Sequence, residues 1–161
     1  MREKDVIEKI RPPFRYLFDH YQYQVIGCRL FANTQNWIVV LESLSCGRFM
    51  AFQDRGEIII ALGPHGSRES ATDSRWFDLA VIVEHLSQGK HMLGSSAGEP
   101  EQQLAELADM LQPYMAQICP LFSSLGFEGA EDELDRIGSR REAEIRQQDA
   151  GSQTNGDGHL N

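Results

Sequence analysis

The sequence predicts an α+β domain in which a four-stranded antiparallel meander is flanked by an N-terminal helix and two or three C-terminal helices. β-branched and aromatic residues between positions 23 and 62 fall into four segments divided by short turns. Apolar residues before and after that block recur at helical spacing. The 161 residues, 41% hydrophobic and 24% charged, are ordinary for one globular domain.

The N-terminal segment carries apolar residues at helical spacing from Val6 to Tyr21. Pro12 and Pro13 interrupt it, because proline has no amide hydrogen to donate within a helix. We therefore expect a broken N-terminal helix.

Four strands are expected at residues 23–31, 37–44, 48–53 and 57–62. The connections between them are short and rich in turn residues, which leaves no room for crossover helices and favours sequential antiparallel pairing. The second and fourth strands are apolar at successive positions, so both faces of the sheet are apolar at its centre. The chain's own helices, a protein partner or a second copy of the chain could cover the second face.

Helical patterns fill the C-terminal half. After a polar loop at 63–74, Ser74 caps a predicted helix whose core stripe begins at Trp76. A longer apolar pattern from Leu104 to Phe122 follows, and Pro113 should kink it.

The last predicted helix covers about residues 131–148, with acids first and arginines last, as the helix dipole favours. Its apolar stripe is thin. The Gly-rich, polar remainder at 149–161 is predicted to be a disordered tail, so the folded domain is expected to be residues 1–148.

Cellular location is inferred from the cysteines and the apolar runs. Cys28, Cys46 and Cys119 are odd in number and widely spaced, so we expect reduced, buried thiols. The first residues lack the apolar core of a signal peptide, and no run reaches the ~20 residues of a membrane helix. These features predict a cytoplasmic protein that does not contact membranes.

Motifs for catalysis are missing from the sequence. It contains no phosphate-binding glycine loop, no zinc-hydrolase motif and no nucleophile elbow, so an enzyme is disfavoured and no cofactor is expected. The five histidines lack the spacing of a helical metal site, so no metal is expected. One alternative stays open, namely a small-molecule or catalytic site at the 63–74 loop using His65, Arg68 and Asp73.

Charge is distributed unevenly. Nine acids and no lysine or arginine lie between Lys90 and Arg136, and the other fifteen acids and fifteen bases cancel, so this stretch carries the whole net charge of -9. Such a field steers a basic partner and repels nucleic acid, although it could also serve solubility alone. The candidate binding residues here are Glu99, Glu101, Glu106 and Asp109.

Asp54 and Arg55 precede Gly56 in a turn between two strongly apolar strands. They could belong to a binding rim. The alternative is structural, with Asp54 accepting turn amides and Gly56 adopting a positive φ.

The segments LESLSCGRFMAFQDRGEIIIALGP, WFDLAVIVEHLSQG and LADMLQPYMAQICPLFS, in this order before a charged last helix, resemble small bacterial proteins of the toxin-immunity kind. The resemblance covers most of the chain up to about Arg146 and implies a non-catalytic cytosolic protein that blocks a toxin by binding it. The leading hypothesis is therefore an acidic module that binds a basic protein. A structural homodimer closed across the sheet is another alternative.

Overall fold

The computed structural model describes residues 1–32, 34–68, 75–91, 93 and 97–154. Its sheet is antiparallel and follows chain order from first strand to last. The strands are β1 (Gln24–Leu30), β2 (Trp37–Ser43), β3 (Gly47–Asp54), β4 (Glu57–Gly63) and β5 (Phe77–Asp78). The predicted class and sequential pairing are confirmed, but the prediction of four strands misses the two-residue strand β5.

Local turn chemistry sets the register of the sheet. Asp54 pairs with Glu57, so the β3–β4 connection is the two-residue turn Arg55-Gly56, in which φ is 51° and 88°. A turn with positive φ at both positions matches the right-handed twist of the two strands. In β1, the register shifts between Val25 and Gly27, so Ile26 is the extra residue of a bulge.

Six α-helices accompany the sheet in the described ranges. They are α1 (Glu3–Ile10), α2 (Arg15–Asp19), α3 (Leu79–Leu86), α4 (Pro100–Leu111), α5 (Met115–Leu121) and α6 (Ser124–Thr154). The Pro12-Pro13 pair separates α1 from α2, and Pro113 lies in a 3-10 turn at Gln112–Tyr114 between α4 and α5. Both breaks occur where the prolines predict them.

The helices pack against one face of the sheet. Each of them contributes buried apolar residues to the same core cluster as alternate residues of β2, β3 and β4. Phe49 at the centre of that cluster is fully buried, and its ring lies 5.2 Å from that of Phe14. The fold is therefore two layers, sheet and helices, around one principal core.

The opposite face carries a second, smaller cluster. Ile38, Val40, Met50 and Ala61 are buried there, and the half-buried Phe52 and Trp76 pack against them. None of the described helices contributes a buried residue to this cluster. The four residues are buried within the single chain, and a protein partner or a second copy at this face stays a prediction.

The predicted bounds of two helices are wrong. Trp76 precedes β5 instead of opening a helix, and α3 begins at Leu79 with Asp78 as its N-cap. Ser74, the predicted cap, lies outside the described residues. The last helix begins at Ser124 and continues to Thr154, so residues 149–154 of the predicted tail are helical. Residues 155–161 lie outside the described ranges.

The prediction of three reduced cysteines is also wrong. Cys46, in the β2–β3 turn, forms a disulfide with Cys119 of α5, and Cys28 is outside that bond. Next to the disulfide, a Cβ at Gly47 would lie 2.5 Å from the Gly63 carbonyl oxygen and 3.0 Å from Phe122 Cβ. The turn thus fits tightly against both the sheet and the helical layer. Disulfides persist mainly in oxidising compartments. The expectation of reduced thiols therefore no longer supports the predicted cytoplasmic location.

We expect replacement of both Cys46 and Cys119 by alanine to lower the free energy of unfolding by about 4 kcal/mol, because the bond closes a loop with a sequence separation of 73. Urea denaturation measures this. Cys28→Ala is the matched control and should cost under about 1 kcal/mol. A dithiol reductant should destabilise the unsubstituted protein but not the double variant, and equal sensitivity of the two would contradict the assignment.

Candidate binding groove beside strand β4

A concave surface of about 530 Å³ lies along the outer edge of β4. We call it the β4 groove. Residues of β4 and the start of α3 line one part of it, which we call the floor, and residues of α4 and α6 line the two parts that we call the walls. The lining residues include Glu57, Asp78, Leu107, Met110, Arg141, Glu144 and Ile145.

Gln103 fixes the α4 wall against β4. Its side-chain Oε1 accepts from the Ile58 amide at 2.9 Å, and its Nε2 donates to the Gly56 carbonyl at 2.7 Å. The Gln103 side-chain amide thus accepts from one backbone group of β4 and donates to another two residues away, as a residue of a neighbouring parallel strand would. Nε2 also donates to the Gly98 carbonyl at 2.7 Å, and Gln103 is 2% exposed. The edge of β4 is therefore capped at this end.

Glu84 fixes the α6 wall. This residue of α3 is 8% exposed and forms ion pairs with Arg140 and Arg141 of α6, at 3.1 Å for Arg141 Nη1. Arg141 also donates to the Leu93 carbonyl at 3.2 Å. A buried carboxylate with two guanidinium partners is satisfied only while α6 stays in place.

Asp78 provides a carboxylate inside the groove. It is the N-cap of α3, but its side chain makes no capping hydrogen bond. Although the residue keeps solvent contact, desolvation by the concave surface raises the pKa of Asp78. Arg141 opposes this shift, and the charges of Glu142 and Glu57 add to it. The groove thus holds a carboxylate at an energetic cost to the folded state.

The structure separates the four candidate acids of α4. Glu99 and Glu106 are not among the groove residues, but they lie one turn from Gln103 and Met110, so helix geometry places them on the same side of α4 as Met110. Glu101 lies on the other side, where Lys9 of α1 pairs with it at 3.0 Å and lowers the pKa of its carboxyl. Asp109 is exposed between these directions. The acidic stretch is therefore more than one surface.

Gln103 also brings the predicted turn residues near α4, because it bonds both Gly56 and Gly98. Asp54 does not accept turn amides as the structural alternative proposed. It accepts from Asn36 Nδ2 at 2.9 Å, and Asn36 Oδ1 in turn accepts from the Arg55 amide at 3.1 Å. Asp54 and Arg55 thus lie at one end of β4, close to the start of α4.

Three of the residues considered for a site in the 63–74 loop are His65, Arg68 and Asp73, and the structure describes the first two. Both ring nitrogens of His65 are engaged, with Glu42 Oε1 at 3.2 Å and the Leu44 carbonyl at 2.9 Å. The Arg68 carbonyl accepts from the Trp76 indole, and Asp73 lies outside the described residues. These contacts tie the loop to the sheet.

No group of three or more His, Cys, Asp or Glu side chains in the described ranges is arranged to hold a metal ion. Among those same residues, no helix has both the length and the apolar composition needed to cross a membrane. Comparison with protein-family models, curated proteins and solved structures finds no match to this chain. The fold and the groove therefore define its class, an α+β domain with an acidic, apolar-lined groove at the edge of its sheet.

Sequence reasoning missed Gln103, Glu84 and the position of Asp78. Glu84 lies one helical turn after Ala80 in a helix that is otherwise strongly apolar. An acidic residue in such a helix is a signal that could have revealed the buried charge. Gln103 has no such signal, because its neighbours Gln102 and Leu104 are ordinary residues of an amphipathic helix.

We expect Gln103→Leu to lower the free energy of unfolding by about 2–4 kcal/mol, because it leaves the Ile58 amide and the Gly56 carbonyl without a partner. Gln102→Leu, at the exposed neighbouring position, should change it by less than about 0.5 kcal/mol. Urea denaturation of both variants tests this, and similar values for the two would show that the cap does not matter.

We expect Asp78→Asn to raise the melting temperature at neutral pH. Because the folded-state pKa of Asp78 is raised, ionised Asp78 lowers stability as the pH rises from the unfolded toward the folded pKa. The gain in melting temperature should be largest above both the unfolded-state and the folded-state pKa of Asp78. It should vanish near pH 3, roughly below both values, because the carboxyl is then neutral in both states. Thermal melts across this range are the measurement, with Asp109→Asn, on α4 and not among the groove residues, as the control. A variant less stable at neutral pH would contradict the desolvation of Asp78.

Proposed function

We propose that this chain is a non-catalytic protein-binding module that receives a basic segment of a partner protein in the β4 groove. The observation that carries the proposal is the combination of apolar and acidic side chains in one open groove. Leu107, Met110 and Ile145 line it, and Ile145 is 56% exposed. Apolar anchors within a charged rim are the usual composition of a protein-binding surface.

The negative charge of the groove favours a positively charged segment of the partner. Glu57 and Asp78 are exposed within it, and helix geometry places Glu99 and Glu106 on the groove side of α4. The guanidinium group of Arg141 is already paired with Glu84, so carboxylates dominate what a partner meets. A basic segment with apolar side chains complements both features.

We further propose that the chain is of the toxin-immunity kind that its quoted segments resemble, a kind of protein that acts by occupying a surface of its toxin. We propose inhibition by binding as the biological role, with a basic toxin as the partner. Nucleic acid is disfavoured as a partner by the net charge of -9.

The two sides of α4 supply a matched test. The partner is first recovered with the unsubstituted protein from its native cell extract and purified. Glu99→Gln with Glu106→Gln then removes two charges on the groove side, and Glu101→Gln with Asp109→Asn removes two on the other side. We expect the first pair to lower the association rate by about tenfold at low salt and the second by about threefold or less.

Stopped-flow or biolayer measurements over roughly 50 to 300 mM salt give the rates, since this range spans strong changes in screening. Equal losses in the two double variants would mean that only the overall field matters. Unchanged rates in both would make the acidic stretch a solubility surface and overturn the proposal.

A further inference from the structure

The form of the bound segment can be inferred from the edge of β4, on the premise that the proposed function holds. We propose that the segment is a basic amphipathic helix of the partner protein, which inserts its apolar side chains into the β4 groove. The competing form is an extended segment that adds a strand to β4.

The backbone of β4 is occupied at both ends of the groove. β5 pairs with Ala61 and Leu62 at one end. At the other end Gln103 takes the Gly56 carbonyl and the Ile58 amide. An added strand needs a row of several backbone groups, and it would have to displace a buried side chain that is 2% exposed. Binding through side chains requires no such displacement.

The walls and floor suit a helix lying along the groove. α4 and α6 form the two sides, and β4 lies between them. The apolar contacts are on the walls, with Leu107 and Met110 on α4 and Ile145 on α6. A helix presents apolar side chains at i, i+3, i+4 and i+7, and this narrow stripe can reach both walls. Met110 adds an adaptable surface.

The carboxylates flank the apolar strip. By helix geometry Glu99 and Glu106 are on the groove side of α4. Glu144 is on the α6 wall, where Arg140 pairs with it at 3.1 Å. Glu57 and Asp78 lie along the floor side. A helix with lysines or arginines on both sides of its apolar stripe would match this order of charges.

Two synthetic peptides of identical composition test the form of the segment. Both have about 14 residues of leucine and lysine and a fluorescent label, one with leucines at helical spacing and one with leucine and lysine alternating as in a strand. We expect the helical-period peptide to bind at least about tenfold more tightly, which is about 1.4 kcal/mol. Circular dichroism should show that it gains helix on binding.

Two exposed apolar residues of α6 give the matched variants. Ile145 lines the groove, whereas Leu125 is 84% exposed and is not among the groove residues. Ile145→Asp should weaken binding of the helical-period peptide by about tenfold or more. Leu125→Asp, with the same change of charge, should leave binding within about twofold.

The outcomes separate the form of the segment from the function. Tighter binding of the alternating peptide, still weakened by Ile145→Asp, would overturn the helix and keep the groove as a site for basic segments. Binding that is equally sensitive to Ile145→Asp and Leu125→Asp would overturn both the helix and the groove. Absence of binding by either peptide at about 100 μM would overturn the helix, while the rates of the natural partner decide the function independently.

Discussion

A buried carboxylate held between two guanidinium groups positions the second half of this molecule. Glu84 of α3 pairs with Arg140 and Arg141 of α6. Among the described side chains of α6, Ile137 is the last buried apolar one, so the later turns of this helix are held to the domain mainly by polar contacts. Removing one partner of a buried ion pair costs about 3–5 kcal/mol, because the remaining charge is uncompensated. The α6 wall of the groove therefore depends on Glu84.

The opposite wall is held by a different polar group for a related reason. Leu104, Ala108 and Leu111 of α4 pack into the core, and Gln103 adds a polar contact to the backbone of β4 at the edge of the sheet. Apolar contact between two walls would tend to close a groove, whereas directional polar contacts to the floor hold each wall at a set position. Ile145 is 56% exposed, and Asp78 is solvent-accessible with a raised pKa, so neither side chain gains much stability from its position in the groove.

Sequence-based prediction succeeds for this chain where a structural feature depends on residues close together in the sequence, and it fails where the feature depends on distant residues. Strands β1 to β4 begin and end within about one residue of expectation, because Arg55-Gly56 and the other turns are encoded locally. Trp76 fits the apolar stripe of the predicted helix, but the pairing of the next residue, Phe77, with Leu62 makes this segment a short strand, and that contact is not local in sequence. The Cys46–Cys119 bond, the Gln103 cap and the Glu84 ion pairs likewise join distant positions, which spacing in one sequence does not reveal.

The acidic stretch shows how a charge count and a surface differ. Nine acids fall in one run of sequence, yet helix geometry places Glu106 beside the groove, Asp109 in open solvent and Glu101 next to Lys9. At separations near the Debye length of about 8–10 Å, an approaching protein responds to the summed field of all of them. In contact it meets only the carboxylates that border the apolar groove. All of the acids therefore contribute to the attraction of a basic partner over distance, whereas only those on the groove side of α4 contribute to contact with it. For this reason association rates can distinguish the two sides of α4.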